Sequence, residues 1–494
     1  MSGLQSQQPK STTQIDSRAE QQHMEIAAEC EHRMEPVLPK FLKTAEIRHL
    51  GLGRKRAQTE NQNTAPSQPK RAHTLYLSNL DDQCLLRFSV EYLFVFAGAV
   101  DVDALRTALS RVLVDYYPLA GRLRPGDDGK LVVDCNAEGA LFEEGFLPGL
   151  AASEFLQGSA IAKPHESWRK LLRGAEARSF LAVPPLVVQV THLGCGGTVL
   201  CAAISHCLCD GIGAAQFLHA WARVARFEAA DHHVMPFHDR SVLRPRYPPR
   251  IAFEHQEYAM NSLPDGDERA AASSLFVGPL APVSLTFTGA HIKRLKDRCA
   301  PWLEECTSFE VLAAHVWRAW VRSLGPPSDL RVKLLFTVDI RHRVKPNLPG
   351  GYYGDGFVLA CAESTAGQLA APSGEHHAAR LVRAAKEMID DDYVRSTVDL
   401  LELRRDAMPD LSASLVISAW TRIGLEDLDI GAGRPVHVGP LTSETYCLFL
   451  PVVDDPRGVT ALVSVPEAAA ERLEDGFLHG LELDDMHDVE NDEQ

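Results

Sequence analysis

One stretch constrains the fold more than any other. Residues Thr198 to Ile204 are small or apolar throughout, and they run into Ser205-His206-Cys207-Leu208-Cys209-Asp210-Gly211. Beyond Gly213, the residues Ala214, Phe217, Leu218, Trp221, Val224 and Ala225 recur at helical spacing on one broad face. The pattern predicts a buried strand ending at His206, a turn at Asp210-Gly211, and an amphipathic helix. It also places a titratable imidazole at the end of a strand, where substrate can reach it. By itself His206 reads more readily as a hydrogen-bonded structural histidine than as a catalyst, because His and Asp at this spacing also arise by chance.

The surroundings narrow the function. The 494 residues, 45% hydrophobic, predict a globular protein of two or more domains. A formal net charge of -16 disfavours nucleic acid as a partner, since phosphates need a basic surface. No apolar run is long enough to span a membrane, and the polar N-terminus lacks a signal-peptide core. The expected location is therefore the cytoplasm. The 11 cysteines form no C-x-x-C pair and no zinc-ligand pattern, so reduced, buried thiols and no metal are expected. Cys207 and Cys209 are the only tempting nucleophiles, but Cys207 adjoins His206, and neighbouring strand side chains face opposite ways.

Residues 1–72 are polar and aperiodic, and are expected to be a disordered extension dispensable for chemistry. Val37 to Leu42 is the one strand-like run within them. A hairpin is expected around Gly194-Cys-Gly-Gly197, between Pro185–Leu193 and Thr198–Ser205. The Pro-rich, charged stretch 232–254 reads as a crossover between a first domain, 73–231, and a second, 255–480. In the second half, helices are expected at Gly289–Arg298, Ser308–Ser323 (capped by Thr307 or Ser308) and, as one long element, Gly374–Leu403. Strands are expected at Val332–Val338, Leu415–Trp420, Tyr446–Val452 and Val459–Val465. The acidic end, 481–494, reads as a tail.

Several separated motifs share one order: Leu77-Ser-Asn-Leu-Asp81, Tyr117-Pro-Leu-Ala-Gly-Arg122, His206-x-x-x-Asp210-Gly211, Thr307-Ser-Phe-Glu310, Asp339-Ile-Arg341, Gly351-Tyr-Tyr-Gly354 and Asp429-Ile-Gly-Ala-Gly433. Together they resemble the BAHD acyltransferases, the plant HxxxD family, over roughly Thr74 to Gly480. The resemblance implies an α/β fold of two chloramphenicol-acetyltransferase-like domains, each a largely antiparallel sheet with helices. It implies transfer of an acyl group, here hydroxycinnamoyl or a relative, from coenzyme A to an alcohol or hydroxy fatty acid. It further implies a monomer with acyl-CoA as co-substrate and no permanently bound cofactor.

By the same resemblance His206 is the general base, with Ser418 and Trp420 facing the oxyanion or acceptor, although Trp420 reads equally as a large core residue. Asp210 is expected to be structural and paired with Arg341, Gly211 to permit the turn, and Ser308 to bind the coenzyme. Asp429, Gly431 and Gly433 form a structural loop that lacks the family's two aromatics, Ile430 and Ala432 standing in their places. Asp355 stands where the family often has Asn. The family's first strand is expected to be displaced or absent, because Arg54 to Arg71 is polar and basic. An amine acceptor, or a non-catalytic accessory protein of lipid elongation, are the alternatives.

Overall fold

The computed structural model describes residues 62–481, apart from 154–170, 173–179, 228–233, 259–271, 273, 302, 442–445 and 480. The run Val37 to Leu42 and residues 482–494 lie outside the described residues, whereas Leu481, expected to open the acidic tail, is buried in the core of the second half. Two six-stranded mixed sheets dominate, with a small three-stranded sheet beside the first.

The first sheet contains β1 (Gln62–Thr64), β3 (Ser89–Phe96), β6 (Ala140–Leu147), β7 (Leu186–Leu193), β8 (Thr198–Ser205) and β13 (His437–Pro440), in the order β1-β6-β7-β8-β3-β13. Every residue of β8 is buried. The alternation explains how. Leu200, Ala202 and Ile204 enter one core with Tyr92, Phe94 and Phe96 of β3. Val199, Cys201 and Ala203 enter a second, on the opposite face, with Leu93 and Val95. A strand covered on both faces reads as a continuous apolar run rather than an alternating one. The first face is closed by α1 (Val102–Asp115) and α2 (Gly211–Ala225), locked together where Trp221 Nε1 donates to the Leu105 carbonyl at 2.9 Å. Between these elements, β2 (Thr74–Tyr76), β4 (Arg122–Pro125) and β5 (Leu131–Asp134) form the small sheet.

The second sheet holds β9 (Leu280–Phe287), β10 (Arg331–Asp339), β11 (Phe357–Thr365), β12 (Ser414–Ala419), β14 (Cys447–Val452) and β15 (Asp455–Pro466), in the order β11-β10-β12-β14-β15-β9. The helices α3 (Gly289–Cys299), α4 (Ser308–Leu324), α5 (Ala366–Ala370), α6 (Gly374–Met388), α7 (Asp391–Leu403) and α8 (Glu467–Leu478) belong to this half. The cap of α4 is Thr307, whose hydroxyl accepts from Glu310 N while Glu310 reaches back to Thr307 N, a reciprocal capping box. The single helix expected over 374–403 is two. Ile389 is extended, and the Asp390 carboxylate accepts from Tyr393 N at 2.9 Å, starting a new helix where apolar spacing alone shows continuity.

The halves interlock. Strand β13, far along the second half, pairs with β3 of the first sheet, and Trp420, Leu425, Leu428 and Ile430 fill the first core. Buried Asp399 of α7 accepts from Arg246 N, Arg246 Nε and Arg250 N, which ties down the crossover segment. Nearby, His255 contacts Glu257 at 3.0 Å and Ser396 Oγ at 2.8 Å. That trio has the connectivity of a nucleophile triad, but Ser396 is fully buried, so it serves as a polar tie.

The N-terminal expectation needs correction. Residues 62–72 are not a detached extension: β1 pairs with β6, Ser67 N donates to the Ser110 carbonyl at 2.7 Å, and the Lys70 ammonium sits 4.3 Å from the Tyr117 ring. The short strand escaped notice because three polar residues carry no periodicity; the partner strand supplies the pairing. Starting the chain at Thr74 rather than at Gln62 is expected to cost about 1–3 kcal/mol in lost hydrogen bonds and cation–π contact. Melting temperatures of the two truncations test this, at roughly 2–4 °C per kcal/mol. Identical melting would return these residues to the status of a dispensable tail.

Candidate active site

His206 sits one residue beyond β8, at the meeting of the two halves. Its backbone N–H donates to the Phe88 carbonyl at 2.9 Å, which continues the ladder with β3 for one more residue. The chain then turns, with Leu208 N donating to Ser205 O at 3.0 Å. Asp210 ends the turn by capping α2, its Oδ1 accepting from Gly213 N at 2.8 Å. The glycine this geometry demands is Gly213, not Gly211. Gly211 is already in the helix with no unusual φ, whereas a Cβ on Gly213 would lie 1.8 Å from the Tyr353 carbonyl oxygen. The start of α2 is thus pressed against the 352–354 loop of the second half.

Asp210 is committed to that junction. Arg341 Nη2 donates to its Oδ1 at 2.9 Å, and Gly356 N donates to its Oδ2 at 3.1 Å. Arg341 also donates to Asp339, at 2.9 Å, and to the Tyr352 and Gly354 carbonyls. Burial works against the Arg341 charge, but Asp210 and Asp339 outweigh it and raise the guanidinium above its ordinary value. The carboxylate therefore staples three segments: the HxxxD turn, the end of β10 and the loop before β11.

The side chain that does face His206 is Asp355. Its Oδ1 lies 3.0 Å from His206 Nδ1. This is the spacing of an ion pair without an aligned hydrogen bond, and among the described residues neither Asp355 oxygen has a hydrogen-bond partner. Asp355 is fully buried, while the His206 side chain keeps 15% of its surface exposed. Burial pushes the Asp355 carboxyl up to about 7, against the pull of the His206 charge. Burial disfavours the His206 imidazolium, but Asp355, with Asp210 behind it, outweighs this and raises the imidazole above its usual value. Phe88 and Phe357 flank the ring, at 5.5 and 5.8 Å between centroids. Sequence reasoning noticed Asp355 only as an unusual residue after Gly-Tyr-Tyr-Gly; its contact with His206 depends on the two halves docking.

The remaining expected residues are spread over the junction and beyond it. Ser418 is half-buried near the end of β12, in the ladder opposite Leu448. Trp420 follows it, 7% exposed, with its ring 4.9 Å from that of Tyr92 in the first core. The loop after it returns to α2: Ile423 reaches Gly211, and the Gly424 carbonyl lies 2.8 Å from His219 Nε2. Ser308 is the first residue of α4, half-buried and next to the capping Thr307. In the Asp429 loop, Gly431 N and Gly433 N donate to Asp429 Oδ1 at 2.8 and 3.0 Å, and both glycines have positive φ. Arg226, just past the end of α2, holds the Asp429 carbonyl. Since α2 spans about 22 Å, this loop lies at the far end of the helix from His206. Ile430, 4% exposed, supplies apolar packing there.

A thiol nucleophile does not fit. Cys207 is fully buried, its Sγ donating to the Leu86 carbonyl at 3.4 Å, and burial pushes both the Cys207 and Cys209 thiols well above their usual range. Among the described residues no His, Cys, Asp and Glu cluster could hold a metal, and no helix is long and apolar enough to cross a membrane.

Two six-stranded mixed sheets, interlocked by exchanged segments and meeting at a strand-end histidine, define an α/β protein of two interlocked halves. A solved structure of vinorine synthase shares this fold, with a TM-score of 0.65 and 22% identity over 84% of this chain and 96% of that one. A sequence model of the Transferase family matches residues 57–479. The chain is 37% identical to an omega-hydroxypalmitate O-feruloyl transferase of Arabidopsis thaliana, covering 84% of this chain and 90% of that protein. It is 36% identical to a fatty alcohol:caffeoyl-CoA acyltransferase of the same plant, covering 82% and 93%. The chain belongs to this Transferase family, the BAHD acyltransferases, and is an enzyme of that type.

Proposed function

We infer that the protein transfers an aromatic acyl group, hydroxycinnamoyl or a relative, from coenzyme A to the hydroxyl of a fatty alcohol or hydroxy fatty acid. The observation that carries the reading is His206, a mostly buried imidazole with one part exposed at the junction of two halves, backed on Nδ1 by a carboxylate and flanked by two aromatic rings. The names of the two Arabidopsis relatives supply the substrate class.

An alcohol is a weak nucleophile until a base takes its proton, and a positioned imidazole contributes roughly 10²–10⁴-fold. Nδ1 is buried against Asp355, so the edge bearing Nε2 receives the acceptor proton. The acceptor oxygen forms its bond to the thioester carbonyl carbon, giving a tetrahedral oxyanion. Ser418, half-buried near the end of β12, is the hydroxyl assigned to that oxyanion; Trp420, packed on Tyr92, shapes the wall behind it. The C–S bond then breaks, and the coenzyme thiolate takes the proton back from His206. Ser308, at the start of α4, is assigned to the coenzyme. Because His206 and Asp355 come from one chain, a monomer suffices. The absence of disulfides among the described cysteines accords with a reducing, cytosolic setting.

The test is an acyl-CoA panel set against long-chain alcohols, hydroxy fatty acids, aromatic alcohols and amines, with products identified by mass spectrometry and thiol release followed in parallel. Ester formation with the long-chain hydroxyl acceptors is expected. Amide products alone, or no acceptor-dependent thiol release, would overturn the reading.

A further inference from the structure

We propose that Asp355 is the positioning residue for His206, fixing the imidazole with Nδ1 turned inward and supplying the counter-charge for the imidazolium formed when the acceptor gives up its proton. The inference rests on His206 acting as the base of the acyl transfer. The more conspicuous carboxylate, Asp210, is already engaged by Gly213, Arg341 and Gly356. Among the described residues, Asp355 alone combines a 3.0 Å approach to Nδ1, full burial, and oxygens with no hydrogen-bond partner. Such a carboxylate is costly to bury unless it has a counter-charge, and the one at hand is a protonated His206.

The backbone around Asp355 is held on three sides. Asp355 N donates to Asp81 Oδ1 at 2.9 Å, Gly356 N to Asp210 Oδ2 at 3.1 Å, and the Gly354 carbonyl accepts from Arg341 Nη2 at 3.1 Å. Asp81 is fixed in turn through its Oδ2, which accepts from Ser78 N and Ser78 Oγ. A Cβ on Gly354 would overlap Arg240 Nη1, so only glycine lets this loop pack so closely against Arg240. The Leu77-Ser-Asn-Leu-Asp81 and Gly351-Tyr-Tyr-Gly354 motifs, which no catalytic step uses, are therefore the mounting for one carboxylate. A ring oriented by a hydrogen-bonding or charged partner at one nitrogen presents its other nitrogen in a fixed direction and tautomer.

The other charged and titratable groups around the pair are accounted for. Asp210 is paired with Arg341, and buried Arg240 lies beside Asp81. Cys207, Tyr92 and Tyr352, which border Asp355, are all shifted upward by burial and stay neutral near pH 7. The charge seen by His206 is thus chiefly that of Asp355. The base-competent form is neutral His206 beside ionised Asp355. Adding a proton to the pair, on either partner, abolishes it: an imidazolium has no lone pair, and a neutral Asp355 no longer supports the charge that catalysis creates. Because Asp355 raises the His206 pKa, this form is reached only on the alkaline side of the pair's titration.

The experiment compares full-length wild type with Asp355→Asn, an isosteric change that removes the charge. Two readouts are taken across pH: kcat and kcat/KM for acyl transfer, and the titration of His206 in ¹⁵N-histidine-labelled protein, its signal assigned by its loss in His206→Gln. Asp355→Asn is expected to lower kcat about 10–100-fold with little change in KM. It is also expected to move both the His206 midpoint and the acid limb of kcat/KM to lower pH, by about one unit or more. A merely structural Asp355 would move neither. Unchanged midpoint and limb in the variant overturn the proposal. So does a wild-type His206 midpoint at or below the ordinary imidazole range, a measurement that does not depend on Asp355→Asn folding. Absence of acyl transfer by the wild type defeats the acyltransferase reading instead, and leaves the titration to judge the pairing.

Discussion

His206→Ala leaves a folded protein that still binds coenzyme A and has lost nearly all acyl transfer, a fall of roughly 10²–10⁴-fold in kcat. Folding survives because His206 contributes one backbone bond, to Phe88 O, that alanine also makes. The unpaired, buried Asp355 carboxylate of the variant has an escape as well: already pushed up to about 7 by burial, it takes a proton once its counter-charge is gone. Binding survives because the imidazole acts on the acceptor proton, not on the coenzyme. Stopped-turnover assays beside calorimetric titration with coenzyme A separate these effects. Near-wild-type turnover with an alcohol acceptor would remove His206 from the mechanism. Neither neighbouring thiol can substitute, since Cys207 and Cys209 are buried and held protonated.

The second large effect is on stability. Asp210→Ala is expected to destabilise the fold by about 3–5 kcal/mol, because it strands the buried Arg341 guanidinium. Against a typical net stability of about 5–15 kcal/mol this is a large share. The loss includes the cap of α2, ordinarily worth about 1 kcal/mol, and the anchor of Gly356 N. Both Asp210 oxygens are used as acceptors, so Asp210→Asn, which keeps one, should fall between wild type and alanine. Arg341→Ala should melt like Asp210→Ala, and the double variant should lose less than the sum of the two. Turnover should fall along with melting, since the same staple holds Gly354 to Gly356 and through them Asp355. Lost turnover at unchanged melting would instead make Asp210 a direct partner of His206.

The His–Asp pair in the HxxxD turn invites a relay reading, and the geometry redistributes those roles. The carboxylate close in sequence caps a helix and clamps an arginine; the carboxylate opposite the imidazole comes from the other half. Similarly, the triad-like His255, Glu257 and Ser396 are sealed in the interior, where they hold the crossover to α7. Connectivity between polar side chains marks a site only where one of them meets open surface.

The sequence by itself determined the local elements that deliver His206. The apolar run of β8 and the helical spacing after Gly213 are each contained in one short stretch of chain, so period suffices to read them. The resemblance to the BAHD family further implied the Asp210–Arg341 pairing. Tertiary structure alone decided the rest. Gln62–Thr64 becomes a strand only because β6 offers it an edge, β13 joins β3 only after the second half has folded back, and Trp420 enters the core of the opposite half. Asp355 meets His206 only when the 352–356 loop is clamped from Asp81, Asp210 and Arg341 at once. Period and propensity describe neighbours along the chain. A contact between two distant loops is set by docking, and no local pattern records it.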